Sequence, residues 1–90
     1  MQRIHIFIFG LVQGVNFRRF VKEKADNLKI KGYVKNLNDG RIEAVFEGSE
    51  KTLEKILQYC KSGPLLSEVN HIDIIKEKYT GEFKSFEIIR

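Results

Sequence analysis

"IHIFIFGLVQGVNFRRFV", residues 4–21, changes its hydrophobic period halfway along. Over residues 3–9, Ile4, Ile6 and Ile8 alternate with His5, Phe7 and Phe9, the period of two that marks a β-strand. From Phe17 onward the apolar positions are Phe17, Phe20, Val21, Ala25 and Leu28, a single stripe on a helix. Asn16 precedes that helix in the place of an N-cap. Residues 10–14 between the two elements contain glycine at both ends and no Lys, Ser, Cys or acid. The chain therefore opens with a strand, a glycine-bounded loop and a helix, and everything downstream must return to pair with that strand.

The downstream residues supply the partners. "IKGYVKNLNDGRIEAVFEG", residues 30–48, reads as two strands joined by a tight turn at Asp39-Gly40, where positive φ is tolerated. Ser49 is placed to cap a second helix with the stripe Leu53, Ile56, Leu57 and Cys60, and Gly63-Pro64 ends it. Val69 to Tyr79 is an isoleucine-rich strand, and 83–89 a short last strand after the Thr80-Gly81 turn. The order βαββαβ with a small extra strand predicts an α+β, ferredoxin-like sandwich: an antiparallel sheet with both helices on one face. In that topology the first strand is central, and the end of the second strand comes near the loop that follows the first.

Ninety residues, 42% hydrophobic and 11% aromatic, with one proline and no repeat, fit one domain spanning residues 1–90. The net charge of +4 leaves most of the basic residues reading as a mixed, solvated surface. Cys60 is the only cysteine, so an intrachain disulfide and a thiolate zinc site are excluded. The N-terminal apolar run is too short for a signal core and is broken by Arg3 and His5; no run reaches the length of a membrane span. A cytoplasmic monomer without membrane association is the expectation.

A glycine-bounded loop running into a helix N-terminus aims backbone N–H groups at a common point, and the helix dipole favours an anion there. Phe17 belongs to the core stripe, so Arg18, about 100° further round, is free to lie beside the loop and grip a phosphate with its planar fork. The spacing excludes a Walker A motif, which needs four residues between its glycines and then Gly-Lys-Ser/Thr, and the Gly-x-Gly-x-x-Gly dinucleotide fingerprint is absent. By spacing alone, glycines that merely shape a connection and a solvated Arg18 fit equally well.

The rest of the inventory is short. Cys60 sits on the apolar stripe of the second helix as a small core residue. His5 and His71 have no Asp or Glu at ligand spacing, and no carboxylate cluster suggests magnesium. An anion cradle, an arginine and water remain. Phosphate monoesters need accelerations of up to about 10²¹-fold, whereas a mixed anhydride has a carboxylate leaving group and a far lower barrier. Positioning and charge stabilisation suffice for such an activated phosphoryl group.

"GLVQGVNFR" (10–18) and "GYVKNLNDGRIEAVFEG" (32–48) resemble the two signature motifs of the acylphosphatase family, Gly-x-Val-Gln-Gly-Val-x-Phe-Arg and Gly-aromatic-Val-Lys-Asn-x₃-Gly-x-Ile-x₅-Gly. The resemblance covers the whole chain, and neither motif is broken. It implies hydrolysis of the carboxyl-phosphate bond of acyl phosphates to carboxylate and inorganic phosphate, without metal or cofactor. It implies a phosphate-binding loop of Leu11, Val12, Gln13, Gly14, Val15, Asn16, Phe17 and Arg18. Arg18 then binds the phosphoryl group and Asn36 orients the attacking water. By spacing alone, Asn36 is rather a turn-former before Asn38-Asp39-Gly40.

The rival reading is a module for single-stranded nucleic acid. The same fold can stack bases on its open sheet face, and Phe7, Phe9 and Tyr33 are candidates for that platform. Lys31-Gly32-Tyr33 begins like the ribonucleoprotein consensus, but Val34 and Lys35 break it, so no nucleic acid is expected. A carbamoyl-phosphate-handling or regulatory module related to acylphosphatases is a third reading; such modules occur within larger proteins, and a lone 90-residue chain is not expected to be one.

Overall fold

The computed structural model describes residues 1–90. Strand β1 (Gln2–Leu11) is followed by helix α1 (Phe17–Asn27), strands β2 (Lys31–Asn36) and β3 (Ile42–Gly48), helix α2 (Glu50–Ser62), and strands β4 (Glu68–Glu77) and β5 (Phe86–Ile89). The sheet order is β4-β1-β3-β2-β5. β1 is central and pairs antiparallel with both β3 and β4. This is the expected α+β, ferredoxin-like arrangement. The added strand β5 joins β2 in parallel, so the sheet is mixed.

Alternation decides which face is core. Ile4, Ile6 and Ile8 stand opposite Phe46, Ala44 and Ile42 of β3, and all six are buried on the face covered by the helices. Phe17, Val21 and Ala25 of α1 and Leu53, Ile56 and Cys60 of α2 close that layer. Burial pushes the Cys60 thiol up to about 12, so it is a core atom and not a thiolate. Ser49 accepts a hydrogen bond from the Thr52 N–H at 3.2 Å, capping α2 as the sequence predicts.

The turn between β2 and β3 is longer than a two-residue hairpin. The Gly40 N–H donates to the Leu37 carbonyl (3.2 Å), and the Leu37 N–H donates to the Arg41 carbonyl (2.8 Å). Only Gly40 has positive φ, at 98°. A turn followed by one left-handed residue is the form glycine favours in three-residue loops.

The open face carries charge. Arg3 reaches Glu77 (2.8 Å), Glu82 (2.6 Å) and Glu47 (3.4 Å). Glu47, 1% exposed, also accepts from the Thr80 N–H and hydroxyl. These bonds hold Thr80 and Glu82 across the open face, and the last strand begins at Phe86 and not at 83. His5 lies between Glu43 (2.7 Å) and Glu77 (2.9 Å). The sequence places no Asp or Glu at ligand spacing from either histidine; cross-strand register nevertheless brings His5 two carboxylate partners, and His71 meets Asp73, two residues on, at 2.6 Å.

The candidate stacking aromatics are covered. The Arg41 guanidinium lies 5.0 Å from the Phe7 ring and 5.6 Å from the Phe9 ring, and Phe83 packs edge-on against Tyr33. These aromatic rings are thus engaged by side chains of the protein itself. No helix is long and apolar enough to cross a membrane.

Candidate active site

The site begins where β1 ends. The β1–β4 register shifts between Phe9 and Gly10, a bulge that needs glycine: φ is 134°, and a Cβ there would lie 2.1 Å from the Glu68 carbonyl oxygen. Beyond Leu11 the backbone turns through two left-handed residues, Gly14 (φ 75°) and Asn16 (φ 69°). Such changes of hand turn neighbouring N–H groups toward one side. The amides of Gly14, Val15 and Asn16 have no acceptor in the protein, and the first helical amide to find one is Phe20, at the Asn16 carbonyl (3.1 Å). The N–H groups of Phe17, Arg18 and Arg19 are the ordinary orphans of a first turn.

Asn16 is not the side-chain N-cap that its position predicts. Its carboxamide makes no capping bond, and it contributes a left-handed backbone instead. The first turn of α1 contains no acid, while Arg18 and Arg19 stand in it. Positive side chains at the positive end of a helix oppose the dipole, by roughly 0.3–1 kcal/mol each at an exposed site. Nothing in the fold requires that conflict, and an anion resolves it.

The second wall comes from β2. Asn36 is its last paired residue, opposite Ile42, on the same face as buried Val34 and Gly32. Its Oδ1 is buried and has no hydrogen-bond partner. A buried acceptor left unpaired costs about 1–3 kcal/mol, so this atom is suited to a donor from outside the chain. The third wall is β5. Its parallel register pairs Val34 with Ile88 and Lys35 with Ile89, which brings Arg90 level with Asn36.

Together these elements enclose a cleft of about 180 Å³. Val12, Gly14, Asn16, Phe17, Arg18 and Arg19 line it from the loop and α1, Asn36 from β2, and Ile88 and Arg90 from β5 and the residue after it. The structure thus brings Arg18 and Asn36 to one cleft. Val12 and Phe17 are buried side chains, so they present mainly backbone. Leu11, Gln13 and Val15 of the sequence-derived loop do not line the cleft. Leu11 is the last residue of β1 and 58% exposed, and Val15 packs against the core.

Gln13 does something the sequence did not indicate. Its Nε2 donates to the carbonyls of Leu37 (2.7 Å) and Arg41 (2.9 Å), binding the loop to the β2–β3 turn. Arg19 and Arg90 were also missed. Arg19 had a signal, its place beside Arg18 in the first turn; Arg90 had none, because its position depends on which strand β5 joins. No group of three or more His, Cys, Asp or Glu side chains is arranged to hold a metal ion.

Comparison with known proteins agrees with this architecture. Residues 4–88 match the family model described as Acylphosphatase. A protein of Roseiflexus sp. named acylphosphatase is 47% identical over 89 residues, covering 99% of this chain and 96% of that one. One of Syntrophus aciditrophicus with the same name is 42% identical, covering 99% and 93%. The crystal structure of acylphosphatase from Bacillus subtilis superposes with a TM-score of 0.96 at 37% identity, over 100% of both chains. With the family's two motifs intact and its fold matched over full length, the chain belongs to the acylphosphatase family.

Proposed function

We propose that, in the acyl phosphate hydrolysis this enzyme carries out, Arg18 and the unbonded amides of the 11–18 loop hold the phosphoryl group while Asn36 aligns the attacking water. The observation that carries this reading is the Asn36 Oδ1: a buried acceptor without a partner, in the cleft that also holds Arg18 and the unbonded amides.

The chemistry follows from what these groups are. The phosphoryl oxygens carry charge that the Arg18 guanidinium and the loop N–H groups neutralise, and the α1 dipole adds to them. Asn36 Oδ1 accepts a hydrogen bond from a water and points its lone pair at phosphorus. The water oxygen forms the new P–O bond as the bond to the acyl oxygen breaks, and that electron pair leaves on the carboxylate. A neutral amide is no base, so the water's proton passes to a phosphoryl oxygen or to solvent. The carboxylate product is a weak base, with a pKa near 4 for ordinary carboxyl groups, so its departure needs no general acid. Cys60 is buried with its thiol pushed up to about 12, so a thiolate nucleophile plays no part.

Hydrolysis of benzoyl phosphate in ¹⁸O-labelled water tests the reading. The label is expected in inorganic phosphate, without a burst of product. Label in benzoate would place the attack at the acyl carbon and refute the roles assigned to Arg18 and Asn36. Failure to hydrolyse benzoyl phosphate at all would refute the functional reading itself.

A further inference from the structure

The chain contains one Asp-Gly step, Asp39-Gly40, and no Asn-Gly. A glycine after aspartate leaves the next backbone nitrogen without a side chain to shield it, so this nitrogen is able to approach the carboxyl carbon. The turn is open on the side of Gly40, where an added Cβ would meet no atom within 4 Å. The Asp39 side chain is itself 55% exposed. Packing therefore does not keep the two reacting groups apart.

Hydrogen bonds do. The Arg41 N–H donates to Asp39 Oδ1 (3.1 Å), and its guanidinium reaches Oδ2 through Nε (2.9 Å) and Nη2 (2.8 Å). The Gly40 N–H donates to the Leu37 carbonyl (3.2 Å). The Arg41 N–H, and after it the guanidinium, holds the Asp39 carboxyl below the ordinary carboxylate range, so the protonated form with a hydroxyl to lose is scarce. An exposed arginine by itself holds a carboxylate weakly. This one is anchored on its other side, where the guanidinium lies 5.0 Å from the Phe7 ring and 5.6 Å from the Phe9 ring.

We infer that Asp39-Gly40 is the chain's site of spontaneous isoaspartate formation, that Arg41 restrains the reaction, and that its completion disables the cleft. The Gly40 nitrogen attacks Asp39 Cγ, a C–N bond forms, and the carboxyl hydroxyl leaves with the amide proton as water. Water then opens the resulting succinimide. Opening at the side-chain carbonyl restores aspartate; opening at the main-chain carbonyl leaves the backbone running through Cγ, one atom longer. That atom falls between Leu37 and Arg41, whose carbonyls both accept from the Gln13 carboxamide. A lengthened turn cannot present both to the same nitrogen, and Leu37 adjoins Asn36. The loss of activity, though not the isomerisation, rests on the role given to Asn36 above.

The test is to age the wild type, Arg41→Gln, Arg41→Lys and the double variant Asp39→Ser/Arg41→Gln in neutral buffer, warm but well below the lowest melting midpoint of the four. Isoaspartate at residue 39 is counted by peptide mapping with mass spectrometry, beside methyl transfer by a protein isoaspartyl methyltransferase. Arg41→Gln is expected to accumulate it about threefold faster than the wild type or more, the factor that loss of an exposed ion pair allows. Arg41→Lys should fall between, since lysine keeps the charge without the planar fork. As Arg41→Gln ages, its kcat for benzoyl phosphate should fall from the fresh value in step with its isoaspartate content. The double variant, which cannot form the succinimide, should keep its fresh kcat. Equal rates in the wild type and Arg41→Gln, or isoaspartate mainly at another residue, overturn the inference. Isoaspartate at residue 39 with kcat undiminished overturns the link to the cleft. Fresh protein that hydrolyses no benzoyl phosphate refutes the functional reading, and the isoaspartate counts then decide the modification by themselves.

Discussion

The Gln13 carboxamide donates to the Leu37 carbonyl at 2.7 Å, fastening the phosphate-loop candidate to the residue next to Asn36. A second bond from the same nitrogen to Arg41 at 2.9 Å makes the fastening a clamp. The distance between the two halves of the cleft is thus set by one side chain that does not line it.

Replacing Gln13 with Ala is expected to lower kcat by about 10–100-fold, the loss that a misplacement near 1 Å produces. Inorganic phosphate should still bind, since the loop amides and Arg18 remain. Gln13→Glu should be worse, because a carboxylate would face two carbonyl oxygens. Steady-state kinetics beside competitive inhibition by phosphate separates these effects; an unchanged kcat in both variants would mean that the clamp does not set the geometry.

Arg18 and Asn36 are expected to fail differently. Arg18→Ala should lose about 10²-fold or more in kcat/KM, roughly 3 kcal/mol of transition-state stabilisation, together with inhibition by phosphate. Lysine should restore little, since a point charge does not replace a planar fork. Asn36→Ala should keep phosphate binding and lose kcat. It should also be no less stable to heat, because it removes a buried acceptor that has no partner in the protein.

The helix conflict at Arg18 and Arg19 predicts that inorganic phosphate stabilises the fold. A ligand that binds only the native state adds about 2.7 kcal/mol at one hundred times its dissociation constant. Thermal melting with increasing phosphate, at constant ionic strength maintained with chloride, should show a rising midpoint. The rise should vanish in Arg18→Ala. An equal rise in that variant would assign the effect to phosphate as a general salt.

Acid should unfold the protein through its open face. Glu77 is held below the ordinary carboxylate value of 4.5 by its hydrogen bond with His5 and then by Arg3. Glu82 is lowered by its hydrogen bond with Arg3 and then with Thr80. A carboxylate depressed in the folded state stabilises it above the unfolded-state pKa, and that contribution disappears as pH falls through the lowered value. Urea midpoints should therefore be level from neutrality to about pH 5 and fall below it. Arg3→Met should flatten the fall; an equally steep fall in that variant would locate the acid-sensitive groups elsewhere.

Lys29 is a left-handed non-glycine residue at the end of α1, with φ 58°, and the Ile30 N–H reaches back to the Ala25 carbonyl at 2.9 Å. This is the helix stop that glycine normally occupies. Lys29→Gly is expected to raise stability by about 0.5–1 kcal/mol, seen as a higher denaturant midpoint with unchanged activity.

The parts legible in the sequence are those governed by local periodicity and by the two motifs. Ile4, Ile6 and Ile8 announced a half-buried strand, Ser49 a cap, and the stripe from Leu53 to Cys60 a helix face. What escaped depends on register and backbone hand. Asn16 reads as a cap from its position, and only the curl of the loop makes it left-handed. The carboxylates beside His5 come from residues 43 and 77, which no spacing rule brings together. Arg90 enters the cleft only because β5 adds in parallel to β2, and a four-residue strand with three apolar residues does not say which edge it will choose.

The central position of β1 also sets how the chain must find its fold. Gln2 waits for Gly48, and Arg3 for a partner 74 residues further on. During synthesis "IHIFIF" leaves the ribosome long before either neighbouring strand exists, with a β-prone apolar face and nothing to cover it. Loop closure over such separations must precede the contacts that reward it, so folding belongs in the slower range of small α/β domains. The same strand that carries the candidate phosphate loop at its end is, while the chain is being made, its most adhesive segment.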